Sequence, residues 1–168
     1  GNCYKEMEMY ELALEYYEKA LEIDENFPEA HNNIGFIMRF QNKLTMAIEH
    51  FTRAIELCPD YIDAYYNRGA TFHDIKEYHK GILDFQKVIA MNPNYGKAYI
   101  SLGNVYFSMH NFKNAIENYL RGIQILPDQY EALNNLGVCY TSLRQYKQSI
   151  KYFDKSINAK LDYSLAYN

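Results

Sequence analysis

Apolar and polar residues recur along this chain at helical spacing, and the whole pattern repeats every 34 residues. Glycine marks the period at Gly1, Gly35, Gly69, Gly103 and Gly137. If this glycine is column 8 of each period, the complete periods cover residues 28–61, 62–95, 96–129 and 130–163, with a partial period at 1–27 and the start of a further one at 164–168. A fixed spacing of this length predicts an array of structural repeats.

Each complete period carries the pattern of two amphipathic helices. Columns 3, 4, 7, 8, 10 and 11 form the apolar face of a first helix, and columns 20, 21, 24, 27 and 28 form that of a second. The pattern changes phase near column 15. Proline at column 32 closes the second helix in three periods, at Pro59, Pro93 and Pro127. Each period is therefore predicted to be a helix, a turn and a helix, which makes the fold all-α.

The recurrent glycine predicts close contact between the two helices of a period. Glycine inside a helix costs about 1 kcal/mol relative to alanine, so its return in every period requires a compensating gain. Column 24 is aromatic throughout, with Tyr17, Phe51, Phe85, Tyr119 and Phe153. We expect the column-24 ring to pack where the glycine leaves no side chain.

The period resembles the tetratricopeptide repeat along the whole chain. The residues that carry the match in one period are Tyr99, Leu102, Gly103, Tyr106, Ala115, Tyr119 and Pro127. The resemblance implies one domain over residues 1–168, a right-handed α-solenoid of antiparallel helix pairs whose first helices line the concave face. Three features depart from the pattern: Arg68 stands in an aliphatic column, Leu161 replaces the column-32 proline, and column 15 carries Glu8, Asn42, Lys76, His110 and Arg144 where glycine is frequent.

Charge, hydropathy and cysteine content indicate which partners and which cellular compartment to expect. A net charge of -4 argues against a nucleic-acid partner, because phosphate backbones are bound by clustered Lys and Arg. We find no apolar stretch long enough to span a membrane, so no membrane partner is expected. Cys3 and Cys139 occupy the same column four periods apart, beyond disulfide reach, and Cys58 has no obvious mate. These cysteines predict a reducing, cytoplasmic location.

No constellation of catalytic or metal-ligating residues is evident. The five histidines lie in five different columns without metal-ligand spacing, and no phosphate-binding or nucleophile motif occurs. Carboxylates such as Glu49, Glu56 and Asp84 are expected on exposed helix faces. The sequence therefore predicts a protein that is not an enzyme and holds neither a cofactor nor a metal.

The predicted binding residues project into the groove from the first helices. They are Asn32, Asn33, Phe36, Arg39, Phe40, Tyr66, Asn67, Lys97, Asn104, Asn134 and Asn135. Column 6 reads Asn33, Asn67, Ser101 and Asn135, and an amide can pair with both the N–H and the C=O of an extended peptide. The row resembles the asparagine ladder of the O-linked N-acetylglucosamine transferase superhelix and of peroxisomal targeting-signal receptors. The alternative is that these amides bond adjacent helices to each other.

Two further patterns refine the expected ligand. Phe36, Phe40 and Tyr66 suggest an apolar anchor for a partner side chain. The family's two-carboxylate clamp for acidic chaperone tails is disfavoured, because Asp63 and Asn67 stand where that clamp needs cations.

Three functions fit this reading. The leading one is a non-enzymatic protein–protein interaction module that binds an extended peptide or a partner helix in its concave groove. The alternatives are the substrate-recruiting arm of a larger enzyme such as a glycosyltransferase, and an architectural scaffold. The chain begins at column 8 and stops at column 5, so we expect a fragment of a longer protein whose uncapped ends can associate end to end.

Overall fold

All regular structure in the described part of the chain is α-helical, as the sequence predicts. A computed structural model describes the backbone of residues 2–166 and the side chains of residues 9–160. The helices are α1 (Asn2–Ile23), α2 (Pro28–Phe40), α3 (Leu44–Leu57), α4 (Ile62–Asp74), α5 (Tyr78–Met91), α6 (Gly96–Ser108), α7 (Phe112–Ile125), α8 (Tyr130–Ser142) and α9 (Tyr146–Ala166). The described range contains no strand.

The helices belong to two compact units that divide within α5, Gly1–Asp84 and Phe85–Asn168. In the first unit α1 packs on α2, α2 on α3 and α3 on α4; in the second α6 packs on α7, α7 on α8 and α8 on α9. Consecutive helices are joined by short turns, so packed neighbours run antiparallel. Each unit thus consists of stacked helix pairs, which confirms an α-solenoid architecture.

The turn inside each pair is made by a residue in the left-handed conformation at column 15. Its φ is 59° at Asn42, 64° at Lys76, 56° at His110 and 59° at Arg144. The N–H of the next residue reaches back to a carbonyl of the first helix, as when Lys43 N donates to Met38 O at 2.8 Å. This bond is that of a Schellman cap, which ends a helix and reverses the chain. The turn therefore forms at column 15 without glycine.

Close helix contact at the column-8 glycine is confirmed in three periods, at Gly35, Gly103 and Gly137. A Cβ added to Gly35 would lie 2.7 Å from Cε1 of Phe51, and one added to Gly103 would lie 2.7 Å from Cδ1 of Tyr119. The same arrangement recurs at Gly137. Phe51 and Tyr119 are fully buried, so their rings cannot swing away into solvent. The glycine is needed because the ring of the second helix occupies the volume of its missing side chain.

Two helices run through positions where a break is expected. Helix α1 passes column 15 at Glu8, and α9 passes column 32 at Leu161, continuing through residues 164–166. In contrast, α3, α5 and α7 end two residues before Pro59, Pro93 and Pro127. Leucine is a good helix former and proline is not, so the missing proline allows α9 to continue.

The expectation that Asp84 is solvent-exposed is wrong. Its residue exposure is 5%, and both carboxylate oxygens accept from Arg68, with Nε to Oδ2 at 2.9 Å and Nη2 to Oδ1 at 2.8 Å. Arg68 also donates to Oγ1 of Thr52 at 3.1 Å. A charged side chain in an aliphatic column needs a buried partner, and Asp84 supplies it. Asp84 thus compensates the departure from the repeat pattern at Arg68, while Glu49 and Glu56 are exposed as expected.

Candidate functional site

The predicted binding residues lie on the first helices of both units. Asn32, Asn33, Phe36, Arg39 and Phe40 are on α2, and Tyr66 and Asn67 are on α4. We call this group the α2–α4 face. The second unit carries Lys97 and Asn104 on α6, and Asn134 and Asn135 on α8. We call this group the α6–α8 face.

On the α2–α4 face an amide pair joins neighbouring first helices. Nδ2 of Asn67 donates to Oδ1 of Asn32 at 3.0 Å. Asn32 is only 7% exposed, and its own Nδ2 lies 3.5 Å from Oδ1 of Asn33. Asn32 therefore holds α2 to α4, whereas the side chains of Asn33 and Asn67 are partly exposed.

The α6–α8 face contains an equivalent arrangement built around a buried phenol. The hydroxyl of Tyr119 donates to Oδ1 of Asn104 at 2.7 Å. Nδ2 of Asn135 lies 3.4 Å from both Oδ1 of Asn104 and the Tyr119 hydroxyl oxygen. Burial raises the pKa of Tyr119 far above its usual range, so the phenol stays protonated and remains a donor. The amides thus do bond adjacent helices.

These bonds leave the asparagines with hydrogen-bonding capacity. A primary amide has two N–H groups and a carbonyl oxygen with two lone pairs. The bonds from Asn67 and Asn135 to their neighbours use only the Nδ2 group of each. Asn134, beside Asn135 on α8, is exposed. Structural and ligand-binding roles are therefore compatible in the same side chains.

Exposed aromatic rings flank the amides of the α2–α4 face. Phe36 is 45% exposed and Phe40 is 52% exposed. One helical turn after Phe36, Nε of Arg39 donates to Oδ2 of Asp74 on α4 at 2.8 Å. Large exposed apolar rings beside polar groups are typical of sites that bind a partner side chain.

On the α6–α8 face, Asn134 and Asn135 line a cavity between α8 and α9. Its volume is about 470 Å³, and it is formed by Tyr130, Glu131, Asn134, Asn135, Ser156, Ile157 and Lys160. Ser156 fixes one wall by donating to the carbonyl oxygen of Tyr130 at 2.7 Å. The cavity has both acidic and basic side chains along with two amides, which suits the mixed polarity of a peptide backbone.

Sequence reasoning missed a histidine pair between α2 and α3. Nδ1 of His31 lies 3.2 Å from Nδ1 of His50, and Nε2 of His31 lies 3.3 Å from the carbonyl oxygen of Glu25. The two residues stand in different columns of one period, so only the pairing of the helices brings them together. Burial lowers the pKa of His50, and the nearby His31 acts in the same direction. Among the described side chains, no group of three or more His, Cys, Asp or Glu is placed to hold a metal ion.

Comparison with protein families gives the repeat type. A tetratricopeptide-repeat model matches residues 1–27, 62–95, 96–129 and 130–158, a second matches 16–49, and a TPR-repeat model matches 37–76. The chain belongs to the tetratricopeptide repeat family. Repeats of this family bind protein partners, which supports a role in protein–protein interaction.

Solved structures of other tetratricopeptide repeat proteins share this fold. MamA matches with 29% identity and a TM-score of 0.86 over 95% of this chain and 94% of the other. A MamA segment from Desulfovibrio magneticus RS-1 matches with 23% identity and a TM-score of 0.83, covering 91% and 86%. YrrB, described as a TPR protein with an unusual peptide-binding site, matches with 22% identity and a TM-score of 0.76, covering 99% and 86%.

No curated protein matches this tetratricopeptide repeat chain in sequence at a significant level. Within the described residues, none of the helices combines the length and the apolar character that crossing a membrane requires.

Proposed function

We propose that this tetratricopeptide repeat protein binds an extended peptide segment of a protein partner on its first helices, without catalysing a reaction. The observation that carries the proposal is the placement of partly exposed amides on both faces. Asn33 and Asn67 lie on one face, and Asn134 and Asn135 on the other. Each offers donors and acceptors that match the N–H and C=O groups of a peptide backbone.

The neighbouring side chains add selectivity to this backbone recognition. Phe36 and Phe40 offer apolar surface on the α2–α4 face, whereas Glu131 and Lys160 flank the amides in the α8–α9 cavity. Buried aromatic anchors contribute much of the energy in protein interfaces, and backbone hydrogen bonds give affinity that depends little on sequence. The first face therefore favours partner segments with large apolar residues.

A peptide array tests the proposal. The wild-type protein and an Asn33→Ala/Asn134→Ala variant are compared on arrays of overlapping peptides. These two amides are chosen because, among the described side chains, they make no hydrogen bond to a neighbouring first helix. The control is Glu56→Ala/Gln124→Ala, which removes exposed side chains from the second helices α3 and α7. We expect binding to fall in the first variant and to persist in the control. Equal binding by all three proteins would refute the role of the amides.

A second candidate function, end-to-end self-association, is favoured by exposed apolar side chains on the first and last helices. Met9 and Leu12 on α1 are 70% and 53% exposed, and Ile150 and Ile157 on α9 are 61% and 58% exposed. The last two occupy columns 21 and 28, where Ile48 and Ile123 of other periods are only partly exposed. We propose that α9 of one copy packs against α1 of the next.

Sedimentation analysis at rising concentration tests this contact. Leu12→Lys blocks the surface on α1, and Ile150→Lys blocks the surface on α9. Each variant alone should stay monomeric. A mixture of the two should form a dimer and nothing larger, because only α9 of Leu12→Lys and α1 of Ile150→Lys can still pair. The control Leu83→Lys changes an apolar side chain on α5 that is 66% exposed, and it should assemble like the wild type. A wild type that stays monomeric at millimolar concentration would rule the contact out.

A further inference from the structure

A small pocket lies between α1 and the end of α2, and its lining contains none of the asparagines proposed to bind a peptide. Its volume is about 210 Å³, and its lining consists of Tyr10, Glu11, Phe40, Gln41 and Asn42. The ring centroids of Tyr10 and Phe40 are 4.4 Å apart, with their planes tilted by 43°. Phe40 is 52% exposed, so part of its ring is available to a ligand. We call this the Tyr10–Phe40 pocket.

Gln41 gives the pocket an unusual polar feature. Its Oε1 is shielded from solvent and has no hydrogen-bond partner among the described residues. A buried acceptor without a donor is costly, and such atoms in folded proteins call for an explanation. The terminal torsion of a glutamine side chain is broad, so a small rotation can present this oxygen to a molecule in the pocket.

Charge adds a second requirement for the occupant. Glu11 is exposed at the edge of the pocket, and Asn42 contributes another amide. A ligand that satisfies the whole lining must therefore be flat enough to lie on an aromatic ring, must carry several N–H donors, and must be positively charged. A guanidinium group has all three properties, because it is planar, permanently charged and holds five N–H donors. An ammonium group is charged but not flat, and an indole is flat but neutral.

We propose that the Tyr10–Phe40 pocket binds an arginine side chain of the protein partner. The guanidinium stacks on the ring of Phe40, donates to Oε1 of Gln41, and pairs with the carboxylate of Glu11. The volume of about 210 Å³ accommodates one long side chain and not a longer peptide segment. This inference rests on the proposed function, for which it names one side chain of the partner.

The probe for the test is arginine with both ends capped, titrated into the isotope-labelled full chain and followed by NMR. Saturable shifts are expected at the rings of Tyr10 and Phe40 and at the side-chain amide of Gln41. Capped citrulline has nearly the same shape without the charge, and capped lysine has the charge without the plane. Capped citrulline should bind up to about fivefold more weakly, since an exposed charge pair contributes up to about that factor. Capped lysine should also bind more weakly, because an ammonium group cannot stack on the Phe40 ring as a guanidinium does.

Variants distinguish binding of arginine in the pocket from a nonspecific attraction of arginine to the carboxylates of α1. Glu11→Gln should weaken arginine binding about fivefold, and Phe40→Leu should remove the stacking contribution. Glu18→Gln is the matched control, because Glu18 is an exposed carboxylate on the same helix outside the pocket lining. That control should bind arginine like the wild type.

Several outcomes would overturn the inference: no saturable shift, equal binding of arginine and citrulline, tighter binding of a capped tryptophan, or equal losses in Glu11→Gln and Glu18→Gln. Failure here is distinguishable from failure of the proposed function. If peptides from the array still bind the wild type and bind Asn33→Ala/Asn134→Ala more weakly, the proposal of peptide binding by the amides stands and only the arginine site is wrong.

Discussion

At the scale of single residues, the fold depends on positions where a side chain would not fit. A Cβ on Gly103 would lie 2.7 Å from two carbons of the Tyr119 ring, and this ring is fully buried. Cores are packed densely enough that an added methyl group forces neighbouring atoms to move. The glycine is therefore a packing residue despite its low helix propensity.

Gly103→Ala tests this account, because two effects of opposite sign compete. Helix propensity alone would stabilise the variant by about 1 kcal/mol. We expect overpacking against Tyr119, which costs on the order of 1–3 kcal/mol, to outweigh that gain and to leave a net loss of up to about 2 kcal/mol in the free energy of unfolding. Urea denaturation measures it. The loss should shrink when Tyr119→Leu is also present, whereas a variant more stable than the wild type would contradict the account.

The buried pair of Arg68 and Asp84 gives a second prediction at this scale. Asp84→Ala leaves the guanidinium of Arg68 without its partner, so we expect a loss on the order of 3 kcal/mol in the free energy of unfolding. Arg68→Leu/Asp84→Leu restores the aliphatic column and should recover most of it.

An exposed pair of the same chemistry provides the control for that experiment. Arg53 and Glu56 pair at 3.3 Å on the surface of α3, so Glu56→Ala should cost less than about 1 kcal/mol. Chemical denaturation of the three variants gives the comparison. Similar losses in Asp84→Ala and Glu56→Ala would show that burial of the first pair has no energetic consequence.

At the scale of helices and turns, each pair reverses at a residue with positive φ that is not glycine. Left-handed backbone conformation costs an ordinary L-residue roughly 1–2 kcal/mol, and asparagine tolerates it better. Asn42 is thus better suited to its turn than Lys76, His110 or Arg144. The turns hold their shape because the Schellman bonds and the packed helices on either side determine it.

Lys76→Gly should therefore stabilise the protein by up to about 1 kcal/mol. Asn42→Gly is the matched variant at the same column, and its gain should be smaller. Thermal melting of both variants measures the difference. A lower melting temperature for Lys76→Gly, or a larger gain for Asn42→Gly, would contradict this explanation of the turn.

Much of this level of structure is readable from the sequence. Periodicity and proline gave the helix pairs, and Pro59, Pro93 and Pro127 follow the ends of α3, α5 and α7. The repeat pattern does not predict the uninterrupted α1 and α9, because Glu8 and Leu161 stand at columns where the chain turns in other periods but do not themselves break a helix. Local chemistry overrides the period at both positions.

The candidate site was predictable only in part, for a physical reason. A column number fixes the angle of a side chain about its helix, so it placed the asparagines on first helices of both units. It does not reveal which groups of different helices meet. The bond from Asn67 to Asn32, the pairing of Asp84 with Arg68, and the contact of His31 with His50 all required the packed structure.

At the scale of the whole molecule, the chain is a tetratricopeptide repeat protein with polar amides on the first helices of both its units. Its membership of the tetratricopeptide repeat family supports a role in protein–protein interaction. The α2–α4 face adds apolar surface and the α6–α8 face adds a cavity with charges of both signs. We therefore expect the two faces to prefer different partner sequences.

The most direct test of peptide binding by the first-helix amides is an NMR titration. The side-chain amide signals of asparagine are recorded while a peptide that bound on the array is added. The account predicts shifts at Asn33 and Asn67, or at Asn134 and Asn135, and none at Asn118 of α7, which lies on a second helix. Shifts confined to second-helix amides such as Asn118, with the first-helix amides unchanged by a bound peptide, would contradict it.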